Sequence, residues 1–275
     1  MGGRFLYHAQ AVGLSGRIVR PFDALVKAQA ASALSSSGGY SSARRREYHL
    51  KQVFSHKATY TEATGSFNAK DDSHDTSATA TIEEFNVGGV VKVELGVARI
   101  SSSHAVSGDR EPSISPQGTF LRHLTIAGNK IELESLVDDF HELDTMSKVR
   151  GRYKQDKAFR DKFDSAAFVG RESAIEDEKK HKYFPWRSRK PSDQLPEYRG
   201  LTIVPLFIVK NPSSPGFNVH GNTVHVANFG RIQLGEMVIG SHERRVTLIH
   251  VDLGSPTEGH FTACGVVGNG GATDP

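Results

Sequence analysis

A chain of 275 residues, 37% hydrophobic and with 27 glycines, can bury a full core, which excludes global disorder and favours one large β-rich domain over several small ones. Lys and Arg number 34 against 31 Asp and Glu, a formal charge of +3, so charge alone does not announce a nucleic-acid binder. The one cysteine excludes a disulfide framework, a cysteine-based zinc site and a cysteine-ligated cluster.

The first residues, Met1 to His8, hold no continuous apolar run, so no secretory signal is expected. Residues 1–46 are poor in acids and rich in Arg, Ser and Ala, as a mitochondrial presequence would be. The partial alternation from Phe5 to Val12, running into Gly13 and Gly16, reads instead as a strand and turn. No apolar stretch approaches the ~20 residues of a membrane helix, so no membrane partner is expected. A lone thiol without a signal fits a reducing compartment such as the cytoplasm.

Taken in chain order, residues 5–34 predict strands with a turn near Leu14-Ser15-Gly16, and residues 35–39 predict a loop. Residues 47–67 form a long polar-aromatic strand pattern ending at Gly65, followed by a charged turn over residues 68–76. Residues 78–85, 90–100 and 120–133 are β-rich runs punctuated by Gly88-Gly89, Gly108 and Gly128-Asn129, the last a hairpin signal. The period then changes. From Ser135 to about Phe168 glycines are few, Phe140, Leu143 and Met146 fall at three-residue steps, and Ser135, Thr145 or Ser147 are candidate N-caps. Two short helices are expected there. Residues 171–200 are charged, carry Pro185, Pro191 and Pro196, and read as an exposed loop. Residues 201–210 predict one strand, 217–226 a hairpin turning at Gly221-Asn222, 230–239 and 245–253 a further pair, and 260–267 a closing strand ended by the glycines that follow. The expected fold is mainly β: an antiparallel sandwich, barrel or solenoid-like domain over residues 1–275, with a helical insertion at 135–170 and a charged aromatic loop at 171–200.

The β halves resemble the choice-of-anchor type proteins, a bacterial group of unknown function. The likeness is carried by Ala9 to Ser15, Ala78 to Ile82, Phe120 to Gly128 and Val226 to Gly230, which are patterned strands around small residues. It covers about half the chain, omits the helical block and implies no active-site residue.

Several constellations could carry chemistry. In Asp138-Asp139-Phe140-His141-Glu142, a helix would place Asp138, His141 and Glu142 on one face, able to hold a hard cation or to pair an acid with a base. An acidic first turn complementing the helix dipole is the plainer account. Asp71-Asp72-Ser73-His74-Asp75 lacks the Gly and distal Glu of an EF-hand and reads as a hairpin tip or loop. His220 and His225 fall on facing arms of one hairpin, with His250 and His260 on later strands; such pairs ligate metal or line a half-exposed face. Cys264 lies in an apolar strand and reads as a small hydrophobe. Gly13-Leu14-Ser15-Gly16 lacks the nucleophile-elbow spacing, and the glycines after Val267 lack the Lys-Ser/Thr of a phosphate loop.

The basic run from Lys179 to Lys190 interleaves Tyr183, Phe184 and Trp186 with Arg187 and Arg189. It reads as a solvated loop with its aromatics tucked back, as a subunit- or partner-docking element, or as a grip on an anionic polymer. The expectation is a non-enzymatic β-rich protein that binds a partner or self-assembles, with no cofactor and no tightly held transition metal. The alternative is a small-molecule hydrolase or isomerase using Asp138, His141 or Glu142.

Overall fold

The computed structural model describes residues 5–106, 111–167, 201–210, 216–254 and 256–272. Alternation of small or apolar residues with polar ones builds a first set of strands: β1 (Phe5–Arg20), β2 (Ala24–Ala33), β3 (Gly39–Arg45), β4 (Tyr48–Leu50), β5 (Phe54–His56), β6 (Ala58–Asn68), β7 (Ser73–Val87), β8 (Val91–Ala105), β9 (Ser113–Ser115), β10 (Phe120–Ile126), β11 (Asn129–Lys130) and β12 (Glu132–Ser135). The helices α1 (Val137–Glu142), α2 (Met146–Gln155) and α3 (Lys157–Ala167) follow. The chain returns to β in β13 (Thr202–Pro205), β14 (Phe207–Lys210), β15 (Phe217–His220), β16 (Thr223–Val226), β17 (Gly230–Ile239), β18 (Glu243–Leu253) and β19 (Glu258–Ala272).

Two large antiparallel sheets result, beside a two-stranded one of β12 and β14. One is contiguous in sequence and runs β3-β6-β7-β8-β10-β11, with β5-β4 prolonging the β6 side of β7 and β9 prolonging the β10 side of β8. The other is split in sequence and runs β15-β16-β17-β18-β19-β1-β2, with β13 on the far end of β17. Their inner faces pack against each other: the Phe54 ring stacks on Phe261 at 5.0 Å between centroids. Approach is close enough that a Cβ on Gly268 would lie 2.4 Å from Ile100 Cγ2. Of the three β architectures the sequence left open, this is a sandwich, with one continuous core.

The helical insertion closes one side. Met146, Val149 and Tyr153 are buried on α2 at helical spacing, and Thr145 caps it by accepting from the Lys148 N–H at 3.2 Å. Phe140 of α1 and Phe163 of α3 join the same core.

Several local expectations change. The long strand pattern over residues 47–67 is three strands, β4, β5 and β6. The turn expected at Leu14-Ser15-Gly16 is absent: β1 runs straight through and turns at residues 21–23. Residues 201–210 form two strands broken at Leu206, one pairing with β17 and the other with β12. The helical block has three helices rather than two, because Asp156 starts a new one by accepting from the Phe159 N–H at 3.0 Å. The glycines after Val267 do not end the closing strand, which pairs with β1 as far as Ala272. The charged aromatic loop, with Tyr183, Phe184, Trp186, Arg187 and Arg189, lies outside the described residues.

Candidate functional site

Asp138, His141 and Glu142 do share the exposed side of α1. The His141 Nδ1 lies 2.8 Å from Ser115 Oγ, which also accepts from the Gln117 N–H at 3.1 Å. Among the described residues neither Asp138 nor Glu142 is bonded to the His141 ring. The strongest electrostatics nearby belong to residues that sequence reasoning missed. Arg244 enters from the inner face of β18, 1% exposed, and donates to the Phe140 carbonyl at 3.0 Å and the Leu143 carbonyl at 2.5 Å. Burial pulls its pKa down to about 10, and the charges of Asp144 and Glu111 oppose that pull. Glu111 also accepts from the Met146 and Ser147 N–H groups at 2.9 and 3.0 Å, neutralising the start of α2. These charges join helices to sheets and are spent on structure.

The histidines separate into two groups. His250 and His260 stack on the outer face of the split sheet, 6.4 Å between centroids, while His220 and His225 sit on the β15-β16 hairpin. His250 lies 3.1 Å from Thr262 Oγ1 through Nδ1 and 2.9 Å from Asp252 through Nε2, and Arg231 Nε donates to the same carboxylate at 3.0 Å. Burial works to raise the Asp252 pKa, but hydrogen bonds from His250 and Arg231, with their charges, outweigh it and hold it at about 2. A carboxyl depressed in the folded state stabilises above its unfolded pKa, near 4, and loses that contribution as the pH falls toward 2. Discounted for partial exposure, Asp252→Asn is expected to cost about 1–2 kcal/mol at pH 7 and almost nothing at pH 2. Urea unfolding of both proteins at the two pH values measures this; an equal cost at both would refute it.

Among the described residues no group of three or more His, Cys, Asp or Glu side chains is placed to hold a metal. Asp71 and Asp72 lie at the tip between β6 and β7, and Asp75 accepts from Ser73 at 2.9 Å, Ser103 at 2.7 Å and Asn68 at 3.0 Å. Cys264 is fully buried, and desolvation pushes its thiol pKa up, away from the nucleophilic thiolate.

The outer face of the contiguous sheet is different. Along β6 the side chains of Thr59, Thr61 and Ala63 are buried, so Tyr60, Glu62 and Thr64 point outward. Strand pairing sets Ser42, Glu62 and Thr79 in one row across β3, β6 and β7, and Arg44, Tyr60 and Thr81 in the next. Between them lies a shallow groove of about 340 Å³, with Tyr40 at its margin. The Arg44 guanidinium covers the Tyr60 ring at 4.7 Å. Tyr40 is 65% exposed. Among the described residues neither its ring nor the Glu62 carboxylate has a hydrogen-bond, ion-pair or ring partner. The groove presents aromatic surface, one cation, one anion and hydroxyls that both donate and accept. Among its lining residues no acid and base are bonded to each other.

The sequence pattern of the domain of unknown function DUF8256 matches residues 5–240. The chain belongs to this family. No curated protein and no solved structure matches it. The DUF8256 span contains every residue of the groove, whereas His250, Asp252 and Thr262 lie beyond it. It also stops before β18 and β19, the strands that join β17 to β1 in the split sheet. No helix among the described residues is long and apolar enough to cross a membrane.

Proposed function

We propose that this protein is a non-enzymatic β-sandwich that works by binding, with the outer face of its contiguous sheet as the recognition surface. One observation carries the reading. The groove keeps an exposed tyrosine and an unpaired carboxylate in the open, whereas Asp75, Asp144, Asp252 and Arg244 are engaged in internal bonds. Polar and aromatic groups left unsatisfied at a surface are available to a ligand without first breaking a structural contact. The resemblance to choice-of-anchor type proteins agrees, since it implies no active-site residue. Association with a second copy or a protein partner through Tyr183, Phe184, Trp186, Arg187 and Arg189 belongs to the same reading, because interface anchors are rich in Trp, Tyr and Arg.

The hydrolase alternative draws on the 2.8 Å contact between Ser115 and His141. A panel of chromogenic esters and glycosides decides between them. No turnover that disappears in His141→Ala is expected; turnover that does disappear would overturn the binding reading.

A further inference from the structure

We infer that the groove between β3 and β7 is a binding site for a neutral oligosaccharide. The inference rests on the recognition reading above and names its ligand class. A sugar ring offers two kinds of surface: an apolar face of axial C–H bonds, and a rim of hydroxyls that donate and accept at once. The groove matches both. Tyr40, 65% exposed, supplies flat aromatic area at low entropic cost, since it has few rotatable bonds. Glu62 accepts from vicinal hydroxyls, and Arg44, held over Tyr60, donates a fork of N–H groups to another pair. Ser42, Thr79 and Thr81 extend a floor of hydroxyls across three strands.

Charge selects among ligand classes. The groove lining carries one arginine and one glutamate, so it has no net sign. An anionic polymer would leave Glu62 facing like charge, and a cationic one would do the same to Arg44. A neutral polyhydroxylated chain satisfies both. The groove is shallow, and the edge strand β3 forms one wall of it, which suits a chain laid across the surface rather than a small molecule enclosed on all sides.

The test is calorimetric titration of the full chain with maltohexaose, cellohexaose, mannohexaose and chitohexaose at 50 and 500 mM NaCl. At least one is expected to bind at millimolar affinity or tighter, with no dependence on salt. Tyr40→Ala should weaken that binding at least tenfold and Glu62→Gln several-fold, with unchanged circular dichroism because both side chains are exposed. Binding that both variants leave intact would overturn the site. Absence of binding by all four sugars would overturn the ligand class, and so would tight, salt-sensitive binding of heparin or polyglutamate in their place. Neither outcome touches the recognition reading, which stands or falls on His141-dependent turnover.

Discussion

Lowering the pH from 7 to 4 is expected to remove about 4 kcal/mol of folding stability through two histidines alone. His56 on β5 is 1% exposed, packs against the rings of Tyr48 and Phe54, and has no hydrogen-bond partner on either ring nitrogen among the described residues. Burial is the main cause that lowers its pKa to about 4, and the charges of Arg45 and His49 add to it. His104 of β8 packs edge-on to Phe5 at 5.1 Å, and burial, His242 and His74 bring it to about 4 as well, against the opposing charge of Asp75. An unfolded histidine takes its proton near pH 6.5, whereas these two refuse it until about pH 4. The unfolded state therefore binds more protons between those values, and stability falls across that window. His56→Leu removes two unpaired buried nitrogens, so it should be neutral or stabilising at pH 7. It should also flatten the decline by about 2 kcal/mol, half of the total, since both histidines are held at about 4. Urea unfolding at pH 7, 5.5 and 4 reads both effects. A variant as acid-sensitive as the parent would contradict the assignment.

Arg244→Met is the second large effect. Methionine keeps much of the apolar stem but removes the donors to Phe140 and Leu143 and leaves Asp144 and Glu111 without their buried cation. The expected cost is about 3 kcal/mol. In a domain this size that lowers Tm by roughly 6–12 °C. Lysine should not rescue, because one ammonium cannot reproduce a planar fork aimed at two carbonyls. Loss should begin locally, with faster amide exchange in α1 and α2 than in the sheets. Arg245→Met, one residue on and exposed, is the control, expected within about 0.5 kcal/mol of the parent. If the two variants unfold alike, Arg244 does not tie the insertion to the sheet.

The contrast between Arg244 and Arg245 shows where sequence reading stops. Both stand in one charged run, and nothing local separates them; the carbonyl that Arg244 reaches lies 104 residues away. Alternation and a glycine turn sufficed for the hairpin at Gly221-Asn222, whose signal is local, but set the one near Gly128 a residue late: Ile126 pairs with Asn129, so the turn is Ala127-Gly128, and β12 pairs with β14 instead. The turn expected near Gly16 failed for the same reason in reverse. That glycine is required not by a turn but by β19, since a Cβ there would lie 2.5 Å from the His260 carbonyl oxygen. Likewise Pro205 and Leu206 lie in a single apolar run, yet the chain changes sheets there, which only the distant partners β12 and β17 decide. The groove was hidden too. Outward polar residues are visible in Tyr40, Ser42 and Arg44, but their alignment with Glu62 and Thr79 depends on strand register across the sheet.

The pairing of β1 with β19 sets a timetable for the nascent chain. Arg20 and Glu258, bridged in the finished sheet, are separated by 238 residues. At ribosomal speeds that interval is on the order of ten to fifty seconds, during which β1 has β2 on one edge and nothing on the other. The contiguous sheet has no such wait, because all its pairs are completed within residues 39–130. It can therefore form first and hold its inner face as a template, while the split sheet closes only once β18 and β19 have left the ribosome. In that interval the buried row Ala9, Ala11 and Leu14 is open to a wrong partner.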